Sequence, residues 1–279
     1  MTNPTLTGIA SRLQNVGLLA SLAKNSGCKS MTLSHIFYAD NYTRKIADEI
    51  AKDHKITPQL FRIHNRTFRS WSLWIQKKRR KANTRRNQLP PSSMLIGGNR
   101  WRHHFALELT NFPIVSIDAH TDMNYDEMIP LRFVRPYNWL YFKLLEGYET
   151  HLVLPYSNFR GGRWNIILPE KYADRFYLYS FDKKKSSAEV SVSFNRSTTV
   201  EIRDLETHPP ILDVNKQISL DWDITREVQE GRVETLLTRI VREGDICDIW
   251  LDEGKRGRRN TMKDHIRYWS TVFEVLNSS

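Results

Sequence analysis

The chain has 279 residues, enough for one large domain with a substantial core and no need of disulfides or a structural metal to hold it. Apolar residues at 40% and charged residues at 26% argue against a disordered or membrane-embedded protein, and 42 Lys and Arg against 31 Asp and Glu leave a formal +11 that favours polyanions or acidic segments as partners. Two cysteines, Cys28 and Cys247, are too few for a disulfide framework or a thiolate zinc site, the start of the chain lacks a basic stretch before an apolar run, and the apolar stretch 16–23 is far short of a membrane span; a cytoplasmic protein with no membrane contact is expected.

Apolar residues at three- and four-residue spacing predict helices over 44–55, 67–81, 100–110, 137–146, 226–242 and 263–276. Between them, short apolar or alternating runs predict strands over 94–96, 112–117, 151–154, 176–181, 189–194, 198–202, 217–220 and 246–251. Several of these strands are apolar on both faces and separated by helices, the pattern of a parallel α/β sheet covered on both sides. The stretch 176–202 alternates polar and apolar residues, and Lys183-Lys184-Lys185-Ser186-Ser187 interrupts it, so an antiparallel hairpin joined there and added to the main sheet is expected. No linker divides the chain, and 1–279 is read as a single domain.

Two segments carry an acidic cluster directly after an apolar strand: Ile117-Asp118-Ala119-His120-Thr121-Asp122 and Leu220-Asp221-Trp222-Asp223. In extended chain, residues two apart share a face, so Asp118, His120 and Asp122 would point one way, and Asp221 with Asp223 another. The carboxyl ends of parallel strands are where open α/β sheets build their sites, so these donors are expected to converge. Packed together they would repel unless a cation lay among them, and an oxygen-rich set with imidazole and no thiolate suits Mn²⁺, with room for two ions sharing carboxylates. The alternative is that each strand-end aspartate caps the following turn.

These residues resemble the Asp-Ala-His-x-Asp and Ser-x-Asp-x-Asp signatures of the arginase and agmatinase superfamily, in the same order. Gly97-Gly98-Asn99-Arg100-Trp101-Arg102-His103-His104 stands where that family has a Gly-Gly-Asp-His segment, and Phe105-Ala106-Leu107 and Pro136-Tyr137-Asn138-Trp139 are similar to a divergent branch that includes the peptide-modifying arginases of ribosomal peptide biosynthesis. The resemblance covers about 94–223. It implies a three-layer α/β/α arginase-like fold with a mainly parallel sheet, two Mn²⁺ ions, and hydrolysis of the guanidinium group of arginine to ornithine and urea. One ion would take His103, Asp118, Asp122 and Asp221, and the other Asp118, His120, Asp221 and Asp223. The pair His103-His104 leaves the first imidazole open between the two, with His103 preferred.

A guanidinium cation is best held by a carboxylate. Glu253, just past the strand 246–251, is the candidate, and a solvated acidic turn facing Lys255, Arg256, Arg258 and Arg259 the alternative. Asn138 joins Glu253 as a candidate substrate contact. With no histidine between His120 and His151, His151 is the candidate for moving protons, and a structural histidine in a strand the alternative. Lys77, Lys78, Arg79, Arg80 and Lys81 form the head of a ten-residue stretch with seven basic residues; an acidic leader of an arginine-containing precursor peptide is the expected partner. Nucleic acid is the rival, with no recognisable module to support it. Rival activities are a small-molecule ureohydrolase of the agmatinase kind and a deacetylase-like amidohydrolase.

Overall fold

The computed structural model describes residues 35–38, 41–55, 59–62, 93–97, 112–124, 137–155, 163–182, 185–193, 196–210, 214–241, 245–250 and helical positions within 262–274. The strands in chain order are β1 (His35–Tyr38), β2 (Gln59–Arg62), β3 (Ser93–Gly97), β4 (Ile114–Ile117), β5 (Thr150–Leu154), β6 (Arg163–Ile167), β7 (Phe176–Ser180), β8 (Ser187–Ser193), β9 (Arg196–Asp204), β10 (Gln217–Asp221) and β11 (Ile246–Trp250), and the helices α1 (Asn41–Asp53), α2 (Trp139–Leu145) and α3 (Glu230–Ile240). Among the described residues these strands form one sheet in the order β2-β1-β3-β11-β10-β4-β5-β7-β9-β8-β6.

From β2 across to β9 every neighbouring pair is parallel; β8 is antiparallel to β9, and β6 pairs parallel with β8. The fold is therefore α/β with a mainly parallel sheet. Strand alternation divides its core by face. Val115, Ile117, Val153, Ile218 and Leu220 join Ile46 and Ile50 of α1 and Val233, Leu236 and Leu237 of α3 in one cluster. Ile114, Leu152, Leu154 and Leu178 join Trp139, Leu140 and Phe142 of α2 in the other. The sheet is thus the middle of three layers, and β4, β5 and β10 are buried along almost their whole length, at polar as well as apolar positions, because both faces are covered.

The antiparallel pair lies elsewhere than the sequence suggests. β7 is a parallel member of the main sheet, so the lysine-rich connection leads from β7 to β8 without making a hairpin of that pair. The antiparallel pair is β8 with β9, in register from Ser187 opposite Glu201 to Ser193 opposite Arg196. β9 is nine residues long: its first half pairs with β8 and its end, Ile202 to Asp204, pairs with β7. A strand serving different neighbours along its length has no single period to read. β1, β2 and β6 escape the sequence reading because a run of four or five residues holds too little periodicity to separate strand from helix or loop. The expected helices over 67–81 and 100–110 lie outside the described residues.

Four parallel strands, β3, β11, β10 and β4, stand side by side in the middle of the sheet in matched register. Ile117 pairs with Leu220, Asp221 with Trp250, and Trp250 with Gly97. Their carboxyl ends therefore finish at one level. The chain leaves β3 and enters β4 three positions away, with β11 and β10 filling the gap. That break in strand order is where open α/β sheets leave a crevice.

Candidate metal centre

Because Leu220 pairs with Ile117, the next residues, Asp221 and Asp118, emerge side by side from adjacent strands. Beyond that point neither segment continues as extended chain. The Asp118 carboxylate accepts the amide N–H of His120 at 2.7 Å, and the Asp221 carboxylate accepts the amide of Asp223 at 3.3 Å, opening the short 3-10 turn Trp222–Arg226. Both strand-end aspartates thus cap a turn, as the structural alternative holds, and the turns are what fold the other donors inward. Ala119 N–H donates to Asp223 Oδ1 at 3.3 Å and ties the two turns together.

Asp118, His120 and Asp223 each offer a ligand atom within 4.8 Å of the others. His120 Nδ1 lies 3.0 Å from Asp223 Oδ2 and 3.5 Å from Asp118 Oδ1. The expectation that Asp118, His120 and Asp122 share one face of an extended strand is corrected here. Asp122 has a φ of +47°, in the left-handed region, so the two-residue alternation is broken before it is reached. Aspartate tolerates that conformation better than most side chains, at a cost on the order of 1 kcal/mol. α2 holds it in place: Leu140 N–H donates to Asp122 O at 3.2 Å, and the Trp139 indole Nε1–H donates to Asp122 Oδ2 at 2.5 Å.

The electrostatics record the convergence. Burial pushes the Asp118 carboxyl up to about 6, with the neighbouring Asp223 adding to the rise and His120 opposing it. Burial, then the charges of Asp118, Asp223 and Asp122, drive Asp221 well above the ordinary carboxylate range, and burial followed by Asp118 does the same to Asp122. His120 is pushed up to about 11 by its contacts with Asp118 and Asp223. Four carboxylates that burden one another and a solvent-facing imidazole that answers them call for positive charge. The donor set is hard oxygen with one imidazole, which fits a divalent cation such as Mn²⁺.

The other sequence candidates divide. Asn138 is buried at the start of α2, immediately before Trp139, and is therefore next to the element that clamps Asp122. His151 sits at the other end of its strand: it pairs with Val115, three residues before Asp118, so about 10 Å of strand separates the two levels. It is buried between Tyr179, whose hydroxyl is 2.9 Å from Nδ1, and Glu149, whose carboxylate is 2.8 Å from Nε2, and it stacks on Tyr177. Burial pulls it down to about 4 against the raising effect of Glu149. The structure does not bring His151 to the acidic cluster. His103, His104, Glu253 and the basic residues Lys77, Lys78, Arg79, Arg80 and Lys81 lie outside the described residues. The described strands that lead toward His103 and Glu253, β3 and β11, end level with Asp221.

Trp139 is the contributor that sequence reasoning left without a role. A buried indole needs a hydrogen-bond acceptor, but nothing local points to one 17 residues upstream.

No helix among the described residues is long and apolar enough to cross a membrane. Neither a family model nor a curated protein matches the chain. Among solved structures, an agmatine ureohydrolase from Thermoplasma volcanium is similar at a TM-score of 0.48 and 12% identity, covering 88% of this chain and 90% of that one. So distant a likeness carries no chemistry from one chain to the other.

Proposed function

We propose that this protein is a manganese-dependent ureohydrolase that converts arginine residues within a peptide to ornithine, releasing urea. The observation that carries the reading is the meeting of Asp118, His120 and Asp223 at the ends of adjacent parallel strands, in motifs whose order and spacing resemble those of the arginase and agmatinase superfamily. Asp118, His120, Asp221 and Asp223 would hold one ion, and Asp118, Asp122, Asp221 and His103 a second. Bound Mn²⁺ would lower the pKa of a water toward neutrality, so that it can add to a guanidinium carbon.

The chain's own residues have the remaining tasks. Ionised Asp118 and Asp221 would accept the cations, whose charge would offset the burial that mainly raises both groups and the like charges that add to it, Asp223 on Asp118, and Asp118 with Asp223 and Asp122 on Asp221. His120, the exposed member of the cluster, is assigned to the side from which substrate approaches. Glu253 is assigned to the forked guanidinium donors and Asn138 to the substrate beside it. With His151 held at the far end of β5, proton delivery to the leaving amine falls to solvent or to residues other than His151. The five basic residues from Lys77 to Lys81 are assigned to an acidic leader segment of the precursor peptide, and the two-cysteine content supports work in the cytoplasm.

Elemental analysis combined with a urea assay tests the reading. About two Mn²⁺ per chain, urea release abolished by chelation and restored by Mn²⁺, and a peptide mass loss of about 42 Da are expected, that loss being urea minus the water added. A kcat/KM for free arginine or agmatine above that of every arginine peptide tested would move the substrate to small guanidines. A chain that stays metal-free in excess Mn²⁺ and makes no urea would overturn the enzyme itself, and tight, salt-sensitive binding of RNA or DNA by that inactive chain would favour the nucleic-acid role.

A further inference from the structure

Trp139 is the first residue of α2, fully packed in the core cluster of that face, yet its one polar atom is directed at the acidic loop. An indole N–H only donates. By donating to Asp122 Oδ2 it fixes the direction of the Asp122 carboxylate. The next residue fixes the same aspartate through its backbone, Leu140 N–H to Asp122 O at 3.2 Å, and Tyr137 O receives the amide of Asn124 at 2.9 Å. Three contacts from one helix start therefore hold a loop whose central residue stands at a φ of +47°. A left-handed aspartate has no local reason to keep one side-chain direction. The packing of α2 against β5 supplies one.

We infer that Trp139 is a positioning residue for the metal centre: its indole N–H fixes the direction of the Asp122 carboxylate, so that removing the N–H weakens metal binding without unfolding the helix. The inference rests on the metal centre proposed above. Hydrogen-bond partners of metal ligands have this effect generally, and their loss lowers affinity about 10- to 100-fold. A second consequence follows from the direct contact. The emission of Trp139 should be quenched when paramagnetic Mn²⁺ arrives on Asp122, whereas tryptophans remote from the cluster should keep theirs.

The experiment compares the full chain with Trp139→Phe, using Mn²⁺ alone as the probe. Affinity is read by electron paramagnetic resonance of free Mn²⁺, and the Trp139 contribution to fluorescence by difference between the two proteins. The expected result is a native circular dichroism spectrum, Mn²⁺ binding weakened about 10- to 100-fold, and loss of the Mn²⁺-dependent quench. The weakening should disappear when Trp139→Phe is placed on an Asp122→Asn background, because the two residues act through one bond. Should Trp139→Phe fail to fold, benzothienylalanine at 139, which exchanges the N–H for sulfur at nearly the same shape, gives the same comparison. Unchanged affinity in a folded variant, or an equal loss on the Asp122→Asn background, overturns the role of Trp139 while leaving the metal centre standing. Absence of Mn²⁺ binding by the unaltered chain overturns both.

Discussion

Asp118 and Asp221 are neighbours across two parallel strands, each the residue that follows a paired apolar position, and each bends its own chain by accepting the amide two residues on. One pair of side chains thus closes two turns and brings together donors from segments about 100 residues apart, since Ala119 N–H reaches Asp223 across that separation.

Replacing either of this pair by asparagine keeps shape and the turn-capping oxygen but removes the charge. Asp118→Asn and Asp221→Asn should each lose Mn²⁺ uptake and lower urea production by orders of magnitude, while His104→Ala remains near the parent in both. Metal stoichiometry and steady-state urea release on the three variants check this. If His104→Ala is inactive and His103→Ala normal, His104 is the ligand.

Without metal, Asp118 should lower the stability of the protein as pH rises through the acidic range. Asp118 has a folded value of about 6 against an ordinary 3.8, so the folded state holds the proton that the unfolded chain releases in that interval. Between those values stability falls with rising pH, by up to about 3 kcal/mol for this one buried group. Mn²⁺ should reverse the trend, because it binds the ionised carboxylates. Thermal melts from about pH 4 to 7, with chelator and with Mn²⁺, should differ by a stabilisation that grows as pH rises, a difference in which the contribution of His151 cancels; a difference that does not grow would refute the cation requirement.

His151 works in the other direction. Its folded value of about 4 lies below the ordinary 6.5, so the unfolded chain takes up a proton first on acidification. Stability from keeping this imidazole neutral is complete above pH 6.5 and is lost as pH falls towards about 4, on the order of 3 kcal/mol over the window. Its ring resonances should show no titration at pH 6 by NMR. A titration near 6.5 would mean that the buried setting beside Tyr179 and Glu149 is wrong.

Lys216 and Asp245 form a wholly buried ion pair at 3.1 Å where β10 and β11 begin, at the ends of these strands opposite the acidic cluster. Asp245 also accepts the Lys216 amide at 3.0 Å. Asp245→Ala strands a buried ammonium and should cost about 3–5 kcal/mol, whereas Lys216→Met with Asp245→Leu should recover most of that loss. Urea-induced unfolding separates the cases. Mn²⁺ content of the folded fraction should not change.

What could be read along the chain was whatever repeats locally. The apolar runs of β4, β5 and β10 announce strands covered on both faces, and the spacing of α1 and α3 announces helices with one buried side. The two acidic motifs were legible because each lies within six residues and directly follows such a run. Which strands lie together was not legible: β10 sits between β4 and β11 although about 100 residues of chain separate it from β4, and pairing at that range depends on which faces can be covered at once. Three-dimensional packing also overruled the two-residue alternation at Asp122, where the pull of Leu140 and Trp139 on the loop outweighs the cost of a left-handed backbone. The predicted strand 151–154 already begins at His151; what the tertiary structure decided is that β5 pairs parallel with β4, which sets His151 opposite Val115 and away from the acidic cluster. Periodicity reports a residue's face, a short-range property of the backbone; its neighbours follow from the burial of whole elements against one another, which is non-local.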